Sequence, residues 1–168
     1  MRIMLVNSPW VCDRDRYSVK SGARWPHIRE RKKTIPYFPY PFAMAYATSA
    51  LKKAGHEVRM FDAVALEIDT REALKTIEDW RPDLVILETS TPSIYADMEF
   101  ATRMDEFVDA KIVFCGPHAT ALPKDVLSGA PGVAVLRGEY DATVVELVAT
   151  LESGGNLAKV NGIAWRDG

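Results

Sequence analysis

Cysteine, histidine and long apolar runs are all scarce in this sequence, and each scarcity closes off a class of function. Two cysteines, Cys12 and Cys115, cannot build a disulfide scaffold or a four-thiolate metal site, so both read as free structural thiols. No apolar stretch approaches the roughly 20 residues of a membrane helix, and Met1 to Val6 is far too short for the core of a secretion signal. The expected location is therefore the cytoplasm, with no membrane partner. A formal charge of −2 lacks the basic excess of a protein that grips a phosphate backbone, so nucleic acid is not an expected partner either. Internal repeats and low-complexity tracts are also absent.

What is present describes one soluble globular module. At 168 residues, 48% hydrophobic and 26% charged, the chain is long enough to bury a core and too short for a second domain of ordinary size. Short β-branched apolar runs at Ile3 to Val6, Val58 to Phe61, Leu84 to Leu87, Ile112 to Cys115 and Val133 to Leu136 read as strands. Their hydrophobicity is continuous rather than alternating, as expected of a parallel sheet covered on both faces.

Helical patterns lie between these strands. Ala43, Ala47, Ala50, Leu51 and Ala54 form one stripe, with Gly55 placed to end it in the left-handed conformation. Thr70 to Trp80 forms a second helix, capped by Asp69 with Glu72 three residues on, burying Leu74 and Ile77 and stopping before Pro82. Ser93 is expected to cap a third, which presents Phe100, Met104, Phe107 and Val108. Asp141 opens a last one with Val144, Leu147, Val148 and Leu151, while Ala119 to Leu127 gives a short helix broken at Pro123. This alternation predicts an α/β, doubly wound, three-layer α/β/α fold with a five-stranded parallel sheet. The expected order is the flavodoxin-like 2-1-3-4-5, with Gly162 to Arg166 as a candidate sixth strand.

One stretch breaks the pattern. From Ser8 to Tyr40 the first strand is separated from its helix by far more than the about two to six residues of an ordinary connection. This inserted loop carries Trp10, Trp25, His27, the run Arg29-Glu30-Arg31-Lys32-Lys33 and the aromatic, proline-rich Tyr37 to Pro41, and it is long enough to fold over a large ligand.

In an open α/β sheet, ligands sit beyond the carboxyl ends of the strands. Those ends read Asn7-Ser8-Pro9-Trp10, Glu88-Thr89-Ser90-Thr91-Pro92-Ser93, Cys115-Gly116-Pro117-His118-Ala119-Thr120 and Arg137-Gly138-Glu139-Tyr140-Asp141. Hydroxyls, an amide and glycines dominate, which suits binding better than acid–base catalysis. No glycine-rich phosphate cradle follows the first strand, so dinucleotide and nucleoside triphosphate readings are weak. Asn7-Ser8 stands where a phosphoacceptor domain needs an acidic pair, and Glu88 alone would not hold magnesium firmly.

Tyr40-Pro41, Ala45-Tyr46, Leu51-Lys52-Lys53-Ala54-Gly55-His56-Glu57-Val58, Arg81-Pro82-Asp83-Leu84-Val85, Gly116-Pro117-His118-Ala119-Thr120 and Arg137-Gly138-Glu139 occur in this order. Taken together they resemble the amino-terminal cobalamin (vitamin B12)-binding domain of the cobalamin-dependent radical SAM enzymes, over nearly the whole chain. That family includes methyltransferases acting on unactivated carbons and ring-forming enzymes of tetrapyrrole biosynthesis. The resemblance implies a Rossmann-like cobalamin fold with the cofactor across the carboxyl edge and its nucleotide tail between the first and third strand loops. Asn7, Ser8, Pro9 and Trp10 would flank the tail, and Thr89, Ser90 and Thr91 would meet it. Gly116, Pro117 and His118 would line the site from the fourth strand, and Gly138 with Glu139 would close its far side.

Plainer roles stand beside these. The hydroxyls of Thr89 to Ser93 could serve the third helix, Gly116 could be an ordinary turn glycine, and His118 could bond its own turn rather than ligate cobalt. Trp10 and Trp25 could cover the corrin or pack within the long loop. Arg29 to Lys33 could meet a phosphate, a carboxylate or an acidic face of another domain, or remain a solvated run. His56, after a helix end, is expected at the surface.

Two departures qualify the resemblance. The cobalamin mutases and methionine synthase carry Asp-x-His-x-x-Gly after the first strand, whereas here no histidine follows Asn7 until His27. Base-off cobalamin without a histidine ligand, and no metal-ligating residue, are therefore expected. The chain also lacks the Cys-x-x-x-Cys-x-x-Cys that holds a [4Fe–4S] cluster, so this domain alone would not generate a radical and no residue of it is expected to be catalytic. S-adenosylmethionine, the cluster and most contacts to a small-molecule substrate are expected in a radical SAM domain after residue 168, the domain's own partner. In such an enzyme a methyl group would pass from S-adenosylmethionine through cobalamin to an unactivated carbon. The alternative is a non-catalytic ligand-binding or sensor domain of the same fold, holding flavin or another ligand.

Overall fold

The structure is a computed structural model that describes residues 1–13, 16–19, 27–30 and 40–166, with the backbone alone at 11–13, 16–19 and 27–30. Strands β1 (Arg2–Asn7), β5 (Glu57–Asp62), β6 (Leu84–Glu88), β7 (Lys111–Cys115), β8 (Ala134–Leu136) and β9 (Ile163–Trp165) form one sheet in the order β5-β1-β6-β7-β8-β9. The first five in that order are parallel, and β9 pairs antiparallel with β8. The expected 2-1-3-4-5 order is therefore present, and Gly162 to Arg166 supplies an antiparallel edge, a common finish to a parallel sheet.

Successive strand residues point to opposite faces, and this alternation builds two cores. Ile3, Leu5, Leu84, Ile86, Val113, Ala134 and Leu136 pack against α1 (Phe42–Lys53) and α6 (Thr143–Glu152). Met4, Val6, Val85, Leu87, Ile112, Phe114 and Val135 pack against α2 (Thr70–Trp80), α3 (Ile94–Asp105) and α5 (Pro123–Gly129). The central strands are continuously apolar over Ile3 to Val6, Leu84 to Leu87 and Ile112 to Cys115 because each face has its own helical layer.

Helix α2 follows its sequence signals closely. Asp69 Oδ1 accepts from the Glu72 amide at 2.9 Å while the Glu72 side chain accepts from the Asp69 amide, a complete capping box. Helix α1 stops before Gly55, which takes φ +93°, but its fully buried face is Met44, Ala47 and Leu51, with Ala54 exposed. The expected alanine stripe is thus rotated, because the larger Met44 and Leu51 gain more from burial. Helix α3 ends at Asp105, leaving Phe107 exposed rather than buried beside Met104. Helix α6 begins at Thr143, and Asp141 does not cap it. The segment interrupted by Pro123 forms two short helices, α4 (Pro117–Ala121) and α5.

The long connection after β1 is not a bare loop. It contains an antiparallel sheet of β2 (Val11–Asp13), β3 (Arg16–Val19) and β4 (His27–Glu30). Strands of three or four residues are shorter than the windows in which alternation can be recognised, so periodicity gave no sign of them. Among the described residues no helix is long and apolar enough to cross a membrane.

Candidate functional site

The chain leaves β1 for α1 on one face of the sheet and leaves β6 for α3 on the other. The two connections therefore diverge over neighbouring strands, which is the topology that opens a crevice at the carboxyl edge. Asn7, Ser8 and Pro9 are buried on its β1 side, and Thr89 and Ser90 on its β6 side, with Thr91 exposed.

Asp97, wholly buried in the first turn of α3, joins the two sides. Its Oδ1 accepts from Ser8 Oγ at 2.6 Å and its Oδ2 from Ser93 Oγ at 2.8 Å. Because the Ser93 proton goes to the carboxylate, Ser90 Oγ, 2.8 Å from Ser93 Oγ, is the donor of that pair. A buried carboxylate needs such donors, and its place near a helix N-terminus helps further. Ser93 does not bond a backbone amide of α3 as a cap; its hydroxyl turns to Asp97 instead. Asp97 was missed from the sequence, although Ser93 and Asp97 share the i, i+4 spacing of one helix face.

The β6 and β7 ends are stitched by backbone. The Thr89 amide donates to Cys115 O at 2.8 Å and Thr89 Oγ1 to the same oxygen at 3.2 Å. Gly116 lies so close that a β-carbon there would meet Thr89 O at 2.3 Å, and its φ of +99° is one that side-chain-bearing residues rarely adopt. It is thus more than an ordinary turn glycine. His118 Nδ1 lies 3.3 Å from Thr91 Oγ1, so the imidazole bridges to the neighbouring loop rather than bonding its own turn, while Pro117 stays exposed. Thr120 Oγ1 accepts from the Gly138 amide at 2.9 Å and ties the β7 connection to the β8 connection, where Gly138 and Glu139 are exposed. The β1, β6, β7 and β8 contributions expected from sequence therefore all reach the same edge.

Beneath that edge lie Glu88, Cys115 and Tyr140, all buried. Burial, and secondarily the Glu88 carboxylate, push the Cys115 thiol well above its ordinary range. Burial, then Cys115 and Glu88, do the same to the Tyr140 phenol. Both groups stay protonated, and a wholly buried neutral thiol is a poor nucleophile. Cys12, Trp25, His27 and residues 31–33 have no described side chains. Trp10, half-buried, lines with Pro9 a recess of about 190 Å³ against Ala96, Phe100 and Arg103 of α3. Opposite it, Phe42, Tyr46, Glu139, Tyr140 and Asp141 line a hollow of about 360 Å³. A larger recess of about 790 Å³ lies at the amino edge among Met1, Asp83, Lys111 and Arg166, away from every strand-end loop just described. His56, expected at the surface, is instead largely covered, with Nδ1 3.6 Å from Glu152 Oε1.

Known proteins share this sequence pattern and architecture. The family described as the B12 binding domain matches residues 31–148. The anaerobic magnesium-protoporphyrin IX monomethyl ester cyclase of Cereibacter sphaeroides is 34% identical over 135 residues, covering 76% of this chain and 22% of the cyclase. The hopanoid C-3 methylase of Methylococcus capsulatus is 28% identical over 128 residues, covering 73% of this chain and 24% of the methylase. The chain thus spans about a quarter of the length of these relatives. The radical S-adenosylmethionine methyltransferase TsrM of Kitasatospora setae superposes over 99% of this chain and 28% of its own, with a TM-score of 0.73 at 19% identity, a likeness of fold. With most of its length matched by the family model and its carboxyl edge built from neutral hydroxyl and glycine loops, the chain belongs to the B12 binding domain family.

Proposed function

We propose that this chain is the cobalamin-binding domain of a radical SAM enzyme of methyltransferase type, holding the cofactor base-off with its nucleotide tail in the crevice between β1 and β6. The observation that carries the reading is the neutral hydroxyl and close-backbone lining of that crevice. Cobalamin presents neutral amides around its ring and a ribose phosphate ending in a planar base, a mixture that suits hydroxyls and close backbone better than charged side chains. Ser8, Thr89, Ser90 and Ser93 supply the hydroxyls, and Gly116 lets the β7 loop approach the β6 loop within backbone contact.

In this reading Asn7, Ser8, Pro9 and Trp10 form one wall of the tail site, and Thr89, Ser90 and Thr91 the other. Gly116, Pro117 and His118 line the β7 side, and Gly138 with Glu139, free of close neighbours at the glycine, border the ring. No histidine stands between Asn7 and His27, in the stretch that follows the first strand, which supports a cobalt without an imidazole ligand. Bound cobalamin would supply a cobalt able to accept a methyl group and hand it on. The chain's own residues would bind, orient and bury the tail. A radical SAM domain in the same polypeptide would bring S-adenosylmethionine, the [4Fe–4S] cluster and the small-molecule substrate.

The test is direct. Purified chain is incubated with hydroxocobalamin, freed of unbound ligand and examined by absorbance. About one equivalent of corrin, with the spectrum of displaced benzimidazole, is expected. Colourless protein, or yellow protein that keeps flavin instead, overturns the reading.

A further inference from the structure

We infer that Asp97 is a positioning residue that sets the separation of the two walls of the tail crevice, so that it selects for the cofactor's nucleotide tail rather than for its ring. The inference deepens the cobalamin reading and rests on it. Ser8 and Asp97 are 89 residues apart in sequence, and their 2.6 Å bond runs from the β1 connection to α3, the helix that follows the β6 connection. These are the two connections that diverge to opposite faces of the sheet. Nothing in strand pairing holds them at one spacing, because the ladder between β1 and β6 ends at Val6 and Leu87.

A carboxylate can only accept, so Ser8 and Ser93 both commit their hydroxyl protons to Asp97. Ser93 Oγ in turn accepts from Ser90 Oγ, so the bonds run from the β1 connection through Asp97 to the β6 connection and fix how far apart the two walls stand. The same arrangement deprives α3 of a side-chain cap, since Ser93 points at Asp97 rather than at a backbone amide. Local helix stability is given up for a bond between distant loops, a conflict of the kind expected at binding sites.

The test compares hydroxocobalamin with cobinamide, which keeps the ring and lacks the nucleotide. Asp97→Asn preserves shape but removes the charge and one acceptor. It is expected to weaken hydroxocobalamin binding by roughly tenfold or more, the scale of a lost bond to a charged group, while cobinamide affinity stays within about twofold. Ser8→Ala and Ser93→Ala, each removing one arm, are expected to act in the same direction to a smaller extent. They decide the matter should Asp97→Asn fail to fold. Equal losses for both ligands, or unchanged binding of both, overturn the inference. If the unaltered chain binds neither ligand, the cobalamin reading itself falls, and the two failures are told apart.

Discussion

Gly116 and Thr89 touch through their backbones: a β-carbon added to Gly116 would lie 2.3 Å from Thr89 O and 3.0 Å from its amide nitrogen. Space and backbone angle both forbid a side chain, since φ is +99° with ψ at 179°. Gly116→Ala is expected to destabilise the fold by about 3 kcal/mol or more and to abolish cobalamin retention. Urea denaturation and corrin absorbance on the same samples check it. A cost below about 1 kcal/mol would show that the β6 and β7 ends can separate freely.

Gly138 provides the contrast. Its φ is +68°, yet a β-carbon there would meet nothing within 4 Å. Gly138→Ala should therefore cost only about 1 kcal/mol of backbone strain and leave the core intact. Because the added methyl would face the proposed ring border, cobalamin affinity should fall more than stability does. Parallel titration and thermal melts separate the two effects.

The capping box at Asp69 opens α2, whose Thr70 borders the Trp10 recess but which supplies none of the hydroxyl or glycine loops of the β1–β6 crevice. Asp69→Ala should lower stability by about 1 kcal/mol, with the stoichiometry and spectrum of bound cobalamin unchanged. A loss of cobalamin comparable to that of the Gly116 variant would contradict the placing of the site.

Cys115 and Tyr140 make stability sensitive to alkali. Both have folded-state pKa values raised above their unfolded values, so both keep their protons in the folded chain. Their contribution is fully present below the unfolded values of about 8.5 and about 10, and declines as pH rises through that range toward the folded values. Unfolding midpoints should therefore drop between about pH 8.5 and 11, and the Cys115→Ala, Tyr140→Phe double variant should flatten that slope. A thiol reagent at neutral pH should leave Cys115 unmodified until denaturant is added.

The strands and all four long helices were legible because each rests on a local pattern, whereas their order 2-1-3-4-5 was expected by analogy with other doubly wound sheets. Apolar runs such as Leu84 to Leu87 and Ile112 to Cys115 announce strands covered on both sides, and Asp69 with Glu72 announces a helix start within four residues. The ligand edge followed from topology, since strand ends in a parallel sheet lie on one side. Failures occurred where a residue's partner was distant. Ser93 could cap α3 or reach Asp97, and only the approach of Ser8 and Ser90 decides between them. His118 finds Thr91 across two connections, and His56 is covered by packing near Glu152.

The sequence by itself determined the layering of this protein, the direction of its strands and the chemical character of its carboxyl-edge loops, because periodicity and residue type act within a few neighbours along the chain. Only the tertiary structure decided that Asp97 ties the β1 and β6 sides together and that Gly116 meets Thr89 backbone to backbone. It also decided that a small antiparallel sheet occupies the long connection. Those outcomes depend on how segments tens of residues apart are brought within hydrogen-bonding reach, and no local pattern encodes that distance.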